Sequence, residues 1–217
     1  EVHKEGARRI RVKKEKPLEV QIEDQVWCLF HRLGYPELNG DGAYIRYLDA
    51  EGKIAEKAIN AFAKDEETVV IAFCKSRDSR GKKTLQKELL EIAQIQRALA
   101  NSIKKHYGGS FHPKIIWMYV THNIIWSEAD IQTAEGANIR VVTENELQYF
   151  DAFARHMGAA GRFQFLAEFL DGQEIPELAG IKVPATKGKL GDHVFYSFVT
   201  TPRHLLKIAF VNHQALN

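Results

Sequence analysis

Apolar residues in this chain recur at two periods, and the changes from one to the other lay out the elements. Residues 23–34 (EDQVWCLFHRLG) place Val26, Cys28, Leu29, Phe30 and Leu33 on a helical stripe that stops at Gly34. Just before it, residues 17–22 (PLEVQI) alternate and predict a short strand. After turn chemistry in YPELNGDG, residues 43–49 (AYIRYLD) predict a strand and a tight turn. Residues 54–63 (IAEKAINAFA) have helix propensity, but the turns crowding them and the strand that follows favour a strand. Residues 68–75 (TVVIAFCK) are short, apolar and β-branched, the plainest strand of the chain. The polar SRDSRGKK predicts a loop before the longest helix, 84–106, which carries Leu85, Leu89, Ile92, Ile95, Leu99 and Ile103 at helical spacing. Residues 114–121 (KIIWMYVT) form an apolar run of the kind buried on both faces of a sheet. Ser127-x-x-Asp130 opens a short helix, 138–143 (NIRVVT) predict a strand, and the capping box Thr143-x-x-Glu146 opens a helix to about Met157. GAAG separates that helix from a last one, RFQFLAEFL.

This order of helix, three-stranded meander, long helix, strand, helix, strand, helices predicts an α/β fold with a mixed sheet flanked by helices. It divides the chain into a basic N-terminal tail (1–16), a main domain (17–170), a linker (171–180) and a β-rich segment (181–217). That segment predicts two strands and a helix begun by Pro202. It is too short to bury a core of its own, so it is expected to open a second domain that the chain does not complete.

At 217 residues, 45% apolar and 27% charged, the composition is ordinary for a globular protein. There is no apolar run of membrane-spanning length, so no membrane contact is expected, and the charged residues 1–16 are not expected to act as a secretory signal. Cys28 and Cys74 lie apart in apolar surroundings and predict free thiols in a reducing compartment such as the cytoplasm. The net charge is only +2, yet it is unevenly placed. Lys4, Arg8, Arg9, Arg11, Lys13, Lys14 and Lys16 crowd the start, and Lys75, Arg77, Arg80, Lys82, Lys83 and Lys87 follow the plainest strand. Such clusters on a near-neutral chain suggest a local polyanion contact, although the first also reads as a flexible tail.

The chemistry sits at the meander. The stretches EDQVWCLFHRLGYPELN, EKAINAFAKDEETVVIAFCKS, KKTLQKELLEIAQI, KVPATKGKLGDHVFYSF and LLKIAFVNHQ resemble the PD-(D/E)XK nucleases, which are restriction-endonuclease-like, and more narrowly a bacterial group in which such a domain precedes a DGQHR domain related to regulators of DNA phosphorothioation. In that family an aspartate on the second strand and the glutamate of E-x-K on the third hold Mg²⁺ or Mn²⁺, and the lysine positions water or stabilises developing charge. The group reads K-Q-I-D-V-F-A and then E-C-K-S. By that resemblance Asn60 stands at the aspartate, Phe73 at the glutamate and Lys75 at the lysine, while Glu23 matches a helix glutamate and Gln86 a helical glutamine near the site. Asp171-Gly172-Gln173 departs from DGQHR.

The two departures at the metal site matter physically. An amide keeps an oxygen but loses the charge that a hard cation prefers, and a phenyl ring offers no ligand. Glu56, Asp49 and Asp78 are the nearby acids that could substitute, with Glu23 and Glu56 the metal ligands of an active site, but none makes a recognisable spacing. No cofactor is expected unless the site is active. His31, His106, His112 and His122 show no metal spacing, and Trp27, Trp117 and Trp126 fit a core better than a base-stacking platform. Gly188 and Gly191 lack phosphate-loop spacing. The favoured expectation is a DNA-binding module with a degenerate nuclease fold, serving a prokaryotic DNA-modification or anti-phage defence system. The alternatives are an active Mg²⁺-dependent endonuclease with displaced carboxylates, and a structural interaction module, with residues 144–170 also offering a homodimer contact.

Overall fold

Pro17 has no N–H to lose and starts a helix, α1 (Leu18–Arg32), whose buried residues Ile22, Val26, Leu29 and Phe30 form one stripe. The strand expected over residues 17–22 is therefore the first turn of this helix. PLEVQI fits both periods, but Leu18 and Ile22 continue the spacing of the stripe below them, and that continuous face decides the outcome.

The computed structural model describes residues 15–108, 110–162, 165 and 166, together with the backbone of strands at 2–6, 9–12, 193–198 and 207–212. At the N-terminus, β1 (Val2–Gly6) and β2 (Arg9–Val12) pair antiparallel, where a basic tail was expected. Beyond α1 come β3 (Glu37–Leu38), β4 (Tyr44–Leu48), β5 (Ile54–Ala58), β6 (Ala61–Lys64) and β7 (Thr68–Lys82). Then follow α2 (Gln86–Tyr107), β8 (Lys114–Ile125), α3 (Glu128–Gly136), β9 (Ile139–Val142) and α4 (Glu144–Met157), with a short 3-10 turn over Gly158–Gly161. In the C-terminal segment β10 (His193–Phe198) and β11 (Lys207–Asn212) pair antiparallel. The expected linker 171–180 and the helix begun by Pro202 lie outside the described residues, as does most of the last helix.

The chain is a mixed α/β fold. Its central sheet has five strands in the order β3-β6-β7-β8-β9, antiparallel up to β7 and parallel beyond it. α1 and α4 cover one face, where Val70, Ala72 and Cys74 join Val26, Phe30, Phe150 and Phe165. α2 and α3 cover the other, where Val69, Ile71 and Phe73 join Leu89, Leu99, Tyr119 and Ala134. The alternation expected along 68–75 is thus observed, because strand side chains point to opposite faces in turn.

The meander is divided. β4 pairs with β5 in a separate two-stranded ribbon, and the central sheet begins anew with β6. The single strand expected over 54–63 changes partners at two residues. The Ile59 N–H donates to the Ala43 carbonyl at 3.0 Å, and the Asn60 N–H to the Ala72 carbonyl at 3.1 Å. Nor is SRDSRGKK a free loop: β7 continues through it, because β8 runs on past Thr121 and offers a partner, with Gly81 beside Ile124 and Lys82 beside Ile125. Residues 77–80 bulge out between the paired positions.

Both predicted helix starts are built as expected. The Ser127 side chain accepts from the Asp130 N–H, and Thr143 and Glu146 form the capping box. The buried apolar residues of α4 (Leu147, Phe150, Phe153 and Ala154), together with Phe165, are used in this chain's own core.

Candidate nucleic-acid interface and remnant acid site

Asn60 sits where the chain passes from ribbon to sheet, and each half of its side chain is engaged. Its amide donates to Glu23 Oε1 at 2.5 Å, and its carbonyl accepts the Cys74 N–H at 2.8 Å. The structure therefore brings Glu23, Asn60 and the backbone of β7 at Cys74 together as a hydrogen-bonded bridge. Next to this bridge lies a cleft of about 1120 Å³ whose charged lining residues are Lys16, Glu23, Asp24, Asp41 and Glu56. Lys16 pairs with Asp24, and Glu56 with Arg46 at 2.8 Å. Asp49 is spent on the ribbon turn, accepting from the N–H groups of Glu51 and Lys53 at 2.9 and 2.8 Å. Asp78 is exposed in the bulge of β7. Among the described residues no three histidine, cysteine or acidic side chains are grouped to hold a metal ion.

Phe73 points to the other face of the sheet and is 6% exposed. The Lys57 ammonium lies over its ring, 5.6 Å from the centroid. Asn60 and Phe73 are thus divided by the sheet: Asn60 reaches toward α1, whereas Phe73 is part of the apolar cluster on α2. The two positions that the resemblance assigns to metal-binding acids therefore do not share a site, because Phe73 shares its face with Lys75 and the face of Asn60's partner Glu23 lies behind it.

Lys75 emerges at the end of the buried part of β7. Its ammonium is 3.5 Å from Glu88 Oε1, and the hydroxyl of buried Tyr119 donates to the other oxygen of the same carboxylate. Burial pushes the Glu88 carboxyl up, but the Tyr119 hydroxyl and the ammonium groups of Lys75 and Lys83 outweigh it and hold it below the ordinary carboxylate range. Burial, with the hydrogen bond to Glu88 next, raises the Tyr119 phenol in turn. Gln86, the helical side chain expected near the site, is exposed at the first position of α2. Glu88 and Lys57 were the residues missed. Glu88 lies two residues further along α2, on the side turned to the sheet, and Lys57 alternates with outward Glu56 on β5. Period-2 and period-3.6 spacing could have placed each on an inward face, though not opposite Lys75 or Phe73.

The remaining basic residues line the continued strand. The Arg77 guanidinium donates to the Lys82 carbonyl and stacks against Gly81, where an added Cβ would come within 3.3 Å of it. Asn123, at a φ of 58°, donates its amide to the Arg77 carbonyl at 3.0 Å. Arg77 is therefore structural to the bulge, while Arg80 and Lys82 are exposed and Lys83 half-buried. Lys87, exposed on the first turn of α2, is 4.0 Å from Glu91.

No family model matches this chain, and no curated protein matches it. Among solved structures, a protein of unknown function, AF1548, is similar at 17% identity with a TM-score of 0.40, the match covering 58% of each chain. Protein VC1899 from Vibrio cholerae is similar at 15% identity with a TM-score of 0.41, over 62% of this chain and 31% of that one. No helix among the described residues is long and apolar enough to cross a membrane.

Proposed function

We propose that this chain is a double-stranded-DNA-binding module built on a degenerate PD-(D/E)XK nuclease fold, acting in a prokaryotic DNA-modification or anti-phage defence system. The observation that carries the reading is the engagement of Asn60. A metal-binding carboxylate at this position would leave oxygens free for a cation. Here the amide N–H is given to Glu23 and the carbonyl is held by the Cys74 backbone, so the two groups satisfy each other. At the expected glutamate, Phe73 packs in an apolar cluster. The lysine of the family pattern is kept, and β7 continues from it through Arg80 to Lys82, still beside β8, with Lys83 just after it.

Phosphate contacts supply affinity without reading sequence, and each one neutralised contributes about −0.9 to the slope of log K against log salt on duplex DNA. The test is fluorescence anisotropy of labelled duplexes across a salt series. Arg80→Ala, Lys82→Ala and Lys83→Ala combined should weaken binding to unrelated sequences alike and flatten the slope by about two to three. A triple variant that binds like the parent would remove β7 from the interface. Duplex cleavage in Mn²⁺ by the parent chain would replace the reading with an active endonuclease using displaced carboxylates.

A further inference from the structure

We propose that Lys57, Lys75 and Lys83 form a phosphate-binding site on the α2 side of the sheet, and that Glu88 occupies it as an internal stand-in for the phosphate. This rests on the nucleic-acid reading and names the residues within that surface that grip a phosphodiester. Lys75 and Lys83 act electrostatically on the Glu88 carboxylate, and Lys75 is 3.5 Å from it. Lys57 lies over the Phe73 ring, the neighbour of Lys75 on the same strand face. Phe73 thereby makes an apolar floor under the Lys57 ammonium, and it has no charge of its own to compete for it. Glu88 is half-buried and accepts from Tyr119, whose ring sits in the core and cannot follow if the carboxylate leaves.

A carboxylate that accepts from a hydroxyl and pairs with the Lys75 ammonium sits among the donors that a phosphate oxygen would want. Moving it needs only side-chain rotation on the first turn of α2. The Tyr119 hydroxyl would then donate to the incoming phosphate. Until then Glu88 lowers the affinity of the surface by neutralising Lys75 and repelling the polyanion.

The experiment compares the full-length parent chain with Glu88→Gln, Glu88→Ala and Lys57→Ala, by anisotropy on labelled duplex DNA and by calorimetry with inorganic phosphate. Gln keeps an acceptor for Tyr119, so it tests the charge and not the packing. Glu88→Gln should tighten DNA binding roughly three- to tenfold, the size of a partly exposed ion pair, and steepen the salt slope by about one. Lys57→Ala should weaken binding and flatten the slope. If the parent binds DNA and Glu88→Gln and Glu88→Ala bind no tighter, the stand-in role is overturned while the nucleic-acid reading survives. If Glu88→Gln takes up inorganic phosphate but neither it nor the parent binds DNA, the anion site stands and the nucleic-acid reading falls. If no protein binds either probe, both are overturned.

Discussion

Asn60 and Glu23 stand 2.5 Å apart, amide nitrogen to carboxylate oxygen, at the point where the chain leaves the β4–β5 ribbon for the central sheet. Asn60→Asp would turn this bond into two carboxylates in contact. The expected result is a loss of about 1–3 kcal/mol at neutral pH, the range for an unmade hydrogen bond in a partly buried place. Millimolar Mn²⁺ should restore part of it, since a cation is what two adjoining carboxylates lack. Thermal melts with and without Mn²⁺ check both parts, and an unchanged melting temperature would mean that the bridge contributes nothing. Phe73→Glu, on the far face of the sheet, should add no cation affinity to Asn60→Asp in calorimetry.

Asp130 ties the start of α2 to the start of α3. It is buried and accepts the Leu85 N–H at 3.1 Å and the Ser127 hydroxyl at 2.6 Å. Asp130→Ala leaves the Leu85 N–H inside the protein without that acceptor, and the expected cost is about 1–3 kcal/mol in denaturant unfolding. Asp130→Asn keeps one acceptor oxygen and should lose less. Equal losses would show that the carboxylate charge, not the hydrogen-bond geometry, matters.

Gly34 ends α1 at a φ of +74°, and a Cβ there would lie 2.7 Å from the Cβ of Ala159. Gly34→Ala therefore combines the cost of a left-handed L-residue, about 1–2 kcal/mol, with a contact that requires the turn after α4 to shift. Gly52, at a φ of +76° with nothing within 4 Å, carries the backbone cost alone. Gly34→Ala should thus lower the melting temperature more than Gly52→Ala, and the reverse order would count against the packing of α1 on that turn.

Stability should fall at both ends of the pH range for different reasons. The Glu88 carboxyl is held below its ordinary value of 4.5, so it contributes fully above that pH. The contribution is lost as pH falls below 4.5 toward the folded value, since the unfolded chain takes up the proton first. Tyr35, Tyr107 and Tyr119 are raised above 10, chiefly by burial, with the Asp65 charge acting next on Tyr35 and hydrogen bonds to Glu37 and Glu88 on the others. Their contribution is complete below pH 10 and is lost as pH climbs above it. Melts across pH should show Glu88→Gln flattening the acid limb and Tyr35→Phe flattening the alkaline limb. Limbs that keep their slopes in these variants would assign them to other groups.

Much of the fold was written in periodicity and in local chemistry. The alternation from Val69 to Cys74, the stripe of α2 and the caps at Ser127 and Thr143 each depend on neighbours a few residues away, so the sequence alone determined them. The meeting of Glu23 with Asn60 was predicted through family resemblance. What only the tertiary structure decided were pairings and faces. Residues 54–63 have one composition but two partners, and the change at Asn60 exists because β5 pairs with β4 while β6 pairs with β7. Residues 76–82 are polar and read as loop, yet β8 outlasts the apolar run and supplies a partner. Glu88, not Gln86, meets Lys75 because the rotation of α2 on the sheet is set by Leu89, Ile92 and Leu99 in the core, and a rotation about a helix axis is a property of packing that no local spacing contains.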